Sequence, residues 1–265
     1  MSAFDPAGAC VVVTGAAGGI GAALATGLAA RGGWVVVADL DAAGADRTVE
    51  AITAAGGTAL AVAGDAASEE GVAALIATAR QAYGPIAAWF GNAGIDGGHG
   101  LESSDADWAR TVDVNVMAHV RAARHLIPEW IEAGGGRFVV TASAAGLLTM
   151  LGAPAYSVTK HGAVAFAEWL SATYRHRGVV VQALCPQWVQ TGMIDEVPAA
   201  LLGVGEVLSP ESVADTVVEA LGDDRFLILP HPEVAGYYGA RASSTDRWLA
   251  GMNQLQQVIE KGEGS

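Results

Sequence analysis

Tyr156 and Lys160 lie four residues apart in "YSVTKHGAVAF", one helical turn, within a stretch that is otherwise mostly small or apolar. At a surface, such a pair contributes a few tenths of a kcal/mol to a helix, and taken alone the spacing is more often structural than chemical. The chemical alternative is acid–base work. A free phenol titrates near 10 and is a poor base for an alcohol proton at neutral pH. Moving that value to about 7 takes roughly 4 kcal/mol of preference for the phenolate. An exposed ion pair supplies at most ~1 kcal/mol, whereas a cation about 4 Å away in a drier setting supplies on the order of 4 kcal/mol. The uncharged run 138–159, "FVVTASAAGLLTMLGAPAYSVT", offers that drier wall.

A second chemical signal is "VVVTGAAGGIGAAL", where Gly15 ends an apolar run and Gly19, Ile20 and Gly21 open a helix-like segment. Glycines at these places allow a tight turn and close approach of a pyrophosphate, whose charge then meets the free N–H groups of a helix N-terminus. Asp39, in "WVVVADLD", stands near the expected position about 20 residues beyond the glycines, at the end of the next apolar run. Its carboxylate can accept hydrogen bonds from an adenosine ribose and would repel a 2′-phosphate. No Arg or Lys lies in the glycine loop or just after Asp39 to offset that repulsion. Dinucleotide binding is expected, with NAD favoured over NADP.

These groups need a scaffold. Seven short apolar runs recur along the chain: "CVVVTG", "WVVVAD", "TALAVAGD", "IAAWFGN", "RFVVTAS", "VVVQALCP" and "RFLILP". Most are continuous rather than alternating, the pattern of strands covered on both faces. Helical segments centred near Ala25, Val49, Ala74, Val120, Ala165 and Val217 separate them. The repeated β-α order predicts an α/β fold, a doubly wound parallel sheet of about seven strands with helices on both faces. No repeat, low-complexity tract or linker divides the chain, so residues 1–265 read as a single domain.

Composition narrows the function further. With 52% hydrophobic and 16% charged residues, a large core can be buried and disorder is not the default. A net charge of −14 without a long basic run argues against nucleic acid and anionic membrane surfaces as partners. Cys10 and Cys185 are far apart and form no CxxC motif, which fits a reduced, intracellular setting. The histidines show no metal-ligand spacing, so no metal is expected. The long uncharged runs 11–30 and 138–159 carry glycine and proline and read as strand, turn and helix start rather than membrane spans. The N-terminus "MSAFDPAGAC" lacks the basic residues of a secretory signal, and a cytoplasmic protein is expected.

Taken together, the motifs resemble the short-chain dehydrogenase/reductase family over roughly residues 10–229. "TGAAGGIG" is similar to that family's variant of the Rossmann fingerprint, and Asp65, followed by Ala66, resembles its adenine-contacting aspartate. "GNAG", with Asn92, Ala93 and Gly94, resembles an Asn-Asn-Ala-Gly motif in which Gly91 replaces the first asparagine. Asn115, Ser143, Tyr156 and Lys160 match the family's catalytic positions in order and spacing. The resemblance implies that Tyr156 exchanges the proton of a substrate hydroxyl or carbonyl while Ser143 holds the same oxygen. Lys160 would lower the tyrosine pKa and hold the nicotinamide ribose, and Asn115 would support a water in a proton relay. Hydride would pass between the substrate carbon and the nicotinamide. Pro186, Val189 and Thr191 would complete the cofactor site. The family also commonly forms dimers or tetramers, here through the helices around Val120 and Ala165.

The chain departs from the family pattern at Pro186-Gln187, where Pro-Gly is usual, and Gln187 or Trp188 is expected to face the substrate. A substrate loop spans about 187–209. Ala145, Leu147, Leu148, Met150 and Leu151 on one side, with Trp188, Val189, Met193 and Ile194 on the other, suggest an apolar secondary alcohol or ketone. The alternatives are an NADPH-dependent 3-oxoacyl-thioester reductase, disfavoured by Asp39, and a non-catalytic nicotinamide sensor, which would not need the Ser-Tyr-Lys set. The extension 230–265 is expected to be largely helical, either capping the pocket or meeting another subunit.

Overall fold

The computed structural model describes residues 4–194 and 205–263. Seven parallel strands form one sheet in the order β3-β2-β1-β4-β5-β6-β9. They are β1 (Cys10–Thr14), β2 (Trp34–Asp39), β3 (Thr58–Ala63), β4 (Ile86–Gly91), β5 (Gly136–Thr141), β6 (Val179–Leu184) and β9 (Leu227–Ile228). All seven expected runs become strands of this sheet. Two further short strands, β7 (Trp188–Val189) and β8 (Val207–Leu208), pair with each other outside it.

The sheet is covered on both faces because alternate residues of each strand enter different cores. Val12, Val36, Trp89, Phe138 and Val140 pack on α3 (Glu69–Tyr83), α5 (Ala118–Ala133) and α7 (Pro154–Tyr174) through Val72, Ile76, Leu126, Ala163 and Leu170. Val11, Val13, Val35, Phe90 and Val139 pack on α1 (Gly19–Ala29) and α8 (Pro210–Ala220) through Leu24, Leu28, Val213 and Val217. Helix α2 (Ala42–Ala54) adds Ala45 and Ile52 to the second core. This is the expected Rossmann-type architecture. The strand order reverses between β1 and β4, and such a switch point opens a crevice at the carboxyl ends of the strands.

The region around Val120, expected to be one helix, is α4 (Asp105–Val112), a π-turn (Asp113–Met117) and α5 in succession. Wide turns of this kind are uncommon within helices and concentrate at functional sites. Run 138–159 contains β5, the four-residue α6 (Ala145–Leu148) and the start of α7, as strand, turn and helix start require. Between α6 and α7, Thr149 takes a left-handed φ of 70°, which a β-branched residue adopts only under local constraint. Ser157 supplies it: its hydroxyl accepts from Met150 N at 2.8 Å and donates to Met150 O at 3.2 Å. The extension forms α9 (Glu233–Ser243) and α10 (Thr245–Glu263). Part of the expected substrate loop, 195–204, lies outside the described residues. Among the described residues no helix is long and apolar enough to cross a membrane.

Candidate active site

The glycine loop leaves β1 at Gly15, whose φ of +64° favours glycine and where a Cβ would stand 2.8 Å from Ala93 Cα. A Cβ on Gly21 would stand 2.1 Å from Gly15 O. Gly21 therefore does not line the cleft. It lets α1 start directly against the loop. Helix α1 has no side-chain cap and no acidic residue in its first turn, so its leading N–H groups are not masked by a side chain. Asn92 locks this turn to β4, donating from Nδ2 to Thr14 O and Gly15 O, each at 3.1 Å. Ala93 N donates to Thr14 Oγ1 at 3.1 Å.

The resulting cleft, of about 1080 Å³, runs along the carboxyl edge of the sheet past the switch point. It is lined by Gly15, Gly19, Ile20, Asp39, Asp65, Ala66, Asn92, Ala93, Gly94, Pro186, Val189 and Thr191, together with Tyr156 and Lys160. Asp39 Oδ2 accepts from Ala17 N at 2.9 Å and Oδ1 from Asp41 N at 3.0 Å, which orients the carboxylate and leaves acceptor capacity. The nearby Arg47 is drawn off to Asp41 at 3.5 Å. Asp65 caps its own turn by accepting from Ala67 N at 2.9 Å. Thr191 packs on the glycine loop: a Cβ on Gly19 would lie 3.0 Å from its methyl. The close-packed glycines, the uncapped helix start and the oriented carboxylate together fit a dinucleotide.

At the other end of the cleft, Lys160 is almost wholly buried and donates to Thr141 O at 2.8 Å. Its Nζ lies 5.6 Å from the centroid of the Tyr156 ring, and a Cβ on Gly94 would be only 3.1 Å from it. Burial pushes the Lys160 pKa down to about 8. Burial likewise pushes Tyr156 above the ordinary phenol value, while a hydrogen bond from Ser143 pulls it down. Among the protein's own groups, desolvation is the larger influence on the phenol, and the Lys160 ammonium spends one of its three donors on a carbonyl. Ser143 Oγ accepts from Ala145 N at 3.1 Å, which fixes the hydroxyl beside the phenol.

Asn115 sits in the π-turn, fully buried. Its Oδ1 accepts from Ile95 N at 2.9 Å, and its Nδ2 donates to Ile95 O at 2.8 Å and to Thr159 Oγ1 at 3.0 Å. The side chain thus clamps the loop after β4 to α7.

Beside Ser143 opens a second cavity, of about 210 Å³. Ala145, Leu148, Met150, Leu151, Gln187 and Trp188 line it, as expected, whereas Met193 lines only the larger cleft. Leu147 does not reach either: α6 turns it into the core. Tyr237, Trp248, Met252 and Leu255 of α9 and α10 form the remaining wall, so the extension caps the pocket within its own chain. Sequence reasoning missed these four residues. It also missed His231, whose Nδ1 accepts from Gln187 N at 3.1 Å while Nε2 meets Glu206 O at 3.1 Å, tying together both ends of the substrate loop. Among the described residues, no cluster of His, Cys, Asp or Glu is placed to hold a metal ion.

A family model for short chain dehydrogenases matches residues 9–201. The chain belongs to the short-chain dehydrogenase/reductase family. It is an oxidoreductase of that family. It is 38% identical over 227 residues to a 1-deoxy-11-beta-hydroxypentalenate dehydrogenase of Streptomyces exfoliatus, covering 84% of this chain and 82% of the relative. It is 34% identical over 219 residues to a cyclohexanol dehydrogenase of an Acinetobacter species, covering 80% and 87%. A crystal structure of a short chain dehydrogenase/reductase from Burkholderia phymatum in complex with NAD superimposes with a TM-score of 0.83 at 32% identity, covering 92% of this chain and 96% of that one.

Gly91, which replaces the first asparagine of the family motif, has a local reason. A Cβ there would stand 2.5 Å from His119 Nδ1, so the imidazole occupies that space. His119 Nε2 is buried with no hydrogen-bond partner among the described residues. Burial, and then the charge of Lys160, push the pKa of His119 down to about 3 from 6.5. Between these values the unfolded chain holds a proton that the folded chain lacks, so stability falls as pH falls. At about pH 4.5 the protein should have lost roughly 2–3 kcal/mol relative to pH 7 through this group, and His119→Leu should not show that loss. Urea unfolding of both proteins at the two pH values is the check, and equal acid losses would mean that the imidazole is not buried in its neutral form.

Proposed function

We propose that the protein interconverts an apolar secondary alcohol and its ketone with NAD as cofactor, residues 1–265 forming one catalytic unit. The observation that carries this reading is the convergence of Ser143, Tyr156 and Lys160 where the dinucleotide-shaped cleft meets an apolar cavity. When bound, the dinucleotide takes up or delivers a hydride. Ser143 holds the substrate oxygen and Tyr156 exchanges its proton. Lys160 keeps a positive charge next to that exchange, and its position in the cleft suits it to hold the nicotinamide ribose. Asn115 acts by fixing the floor beneath them. Gly15, Gly19, Ile20 and Thr191 bind the pyrophosphate and nicotinamide end, with Gly21 supporting them from behind. Asp39, Asp65 and Ala66 bind the adenosine end. Asn92, Ala93, Gly94, Pro186 and Val189 shape the cleft between these ends. Ala145, Leu151, Gln187, Trp188 and Met193 face the substrate. The names of the two dehydrogenase relatives, one for a cyclic alcohol, support this substrate class. Both cysteines are free and buried, which accords with a cytoplasmic setting.

Tyr156→Phe keeps the ring and removes the exchangeable proton. Turnover of a secondary alcohol should drop at least ~10²-fold, with NADH binding largely retained by fluorescence titration. Near-normal turnover would exclude Tyr156 as the acid–base group. Asp39→Ala should weaken NAD use and improve NADP use. Kinetics with both cofactors decide it, and an unchanged preference means that another residue reads the ribose. Self-association is the third element of this reading. Val158 and Trp169 on α7 and Val112 on α4 are exposed apolar side chains on the helices expected to pair. Light scattering should show a dimer or tetramer at micromolar concentration, and a single species of monomer mass would rule this out.

A further inference from the structure

The roof of the apolar cavity comes from the end of the chain, and one side chain ties it to the catalytic helix. Arg241 on α9 donates from Nη1 to Leu147 O of α6, and the same nitrogen lies 2.9 Å from His161 Nε2 on α7. His161 Nδ1 faces the carbonyl oxygen of Ser157 at 2.8 Å, so Nδ1 carries the proton and Nε2 presents a lone pair to the guanidinium. One guanidinium nitrogen thus serves acceptors on two different elements, its two N–H directions fixed by the plane of the group, which a freely rotating ammonium does not reproduce. Tyr237 lies four residues before Arg241, on the same side of α9. Its ring packs against Trp248 of α10, with centroids 6.3 Å apart. Trp248, Met252 and Leu255 then recur at helical spacing along the face of α10 that closes the cavity over Leu148 and Trp188. Among the described residues, no charged residue lines that cavity. It shares Ser143, Gln187 and Trp188 with the larger cleft, so it continues directly from the candidate reaction site.

We propose that Arg241 is a specificity-determining positioning residue, which through His161 and Leu147 seats α9 and α10 as the binding wall for the distal, apolar ring system of a polycyclic alcohol or ketone. The proposal rests on the alcohol/ketone reading of Ser143 and Tyr156 for its chemistry, and on the Arg241 contacts for its geometry. A monocyclic alcohol fills the end near Ser143 and gains little from the roof. A fused second ring reaches Trp248 and Met252 and gains from it.

Kinetics with cyclohexanol and decahydro-2-naphthol test this. In the unaltered protein kcat/KM favours the bicyclic alcohol. In Arg241→Met its KM rises about tenfold or more, the low end for losing a hydrogen bond to a charged group, while kcat and KM for cyclohexanol stay within about twofold. His161→Leu, which leaves the Arg241 bond to Leu147 O in place, raises the bicyclic alcohol's KM less, and the double variant is no worse than Arg241→Met alone, because the His161 contact is already lost there. Arg241→Lys recovers only part of the preference. Equal losses on both alcohols, additive effects in the double variant, or a preference that survives Arg241→Met would each overturn the proposal. Calorimetry of 2-decalone binding to the protein separates it from the reading on which it rests. Binding that weakens in Arg241→Met without turnover of any alcohol keeps the latch and refutes the chemistry. Turnover of both alcohols with no dependence on ring number or on Arg241 keeps the chemistry and refutes the latch.

Discussion

An ammonium ion held almost wholly out of water is the constraint around which this molecule is built. Lys160 reaches the interior where β5 ends, and its charge is tolerated only because a carbonyl of Thr141 is presented to it there. That carbonyl exists at the right place because β5 lies between β4 and β6 in an uninterrupted parallel sheet. Approach of the loop after β4 requires Gly94 to have no side chain, and Asn115 must hold the same loop from the π-turn. Burial depresses the lysine to about 8, which still leaves it charged at neutral pH. Cleft, switch point and helix α7 are all disposed about this one cation.

Much of this was legible in the residues. Seven continuous apolar runs became the seven strands, because strands buried on both faces leave no room for polar alternation. The ordered set Asn115, Ser143, Tyr156 and Lys160 converged, since each falls at the end of a strand or on a helix that the β-α order places at one edge. Other features depend on tertiary surroundings that local pattern does not carry. The π-turn between α4 and α5 is stabilised by the bonds of Asn115 to Ile95 and Thr159, far apart in sequence. Leu147 turned inward because neighbouring residues of a helical turn point in different directions, so Leu147 and Leu148 do not share the cavity side. Trp248, Met252, Leu255 and Ile259 form a visible helical stripe, yet periodicity alone does not say what a stripe will cover. The balance at Tyr156 depends on surroundings in the same way. Spacing reveals a neighbouring charge, but not the depth of burial that opposes it.

The site divides into a polar half and an apolar half with different structural origins. The first is made by strand ends and glycine turns, and its shape follows from backbone geometry. The second is made by side chains from α6, the strand β7 and the two final helices, and its shape follows from packing. Ser143, Gln187 and Trp188 belong to both. A substrate bridging the halves would present its oxygen to a rigid, hydrogen-bonded frame and its hydrocarbon to side chains that can be exchanged without disturbing the sheet.

That the cavity's roof comes from residues 233–263 bears on how the molecule is made. A chain is synthesised from its N-terminal end at roughly 5–20 residues per second. Every strand of the large sheet, ending with β9 at Ile228, is synthesised before α9 and α10. The nascent chain therefore acquires most residues of the larger cleft while the wall beside Ser143 is still missing. Until those two helices are made, Leu148, Met150 and Trp188 lack the side chains that roof them in the finished molecule, and uncovered apolar surface is what chaperones and neighbouring chains act on.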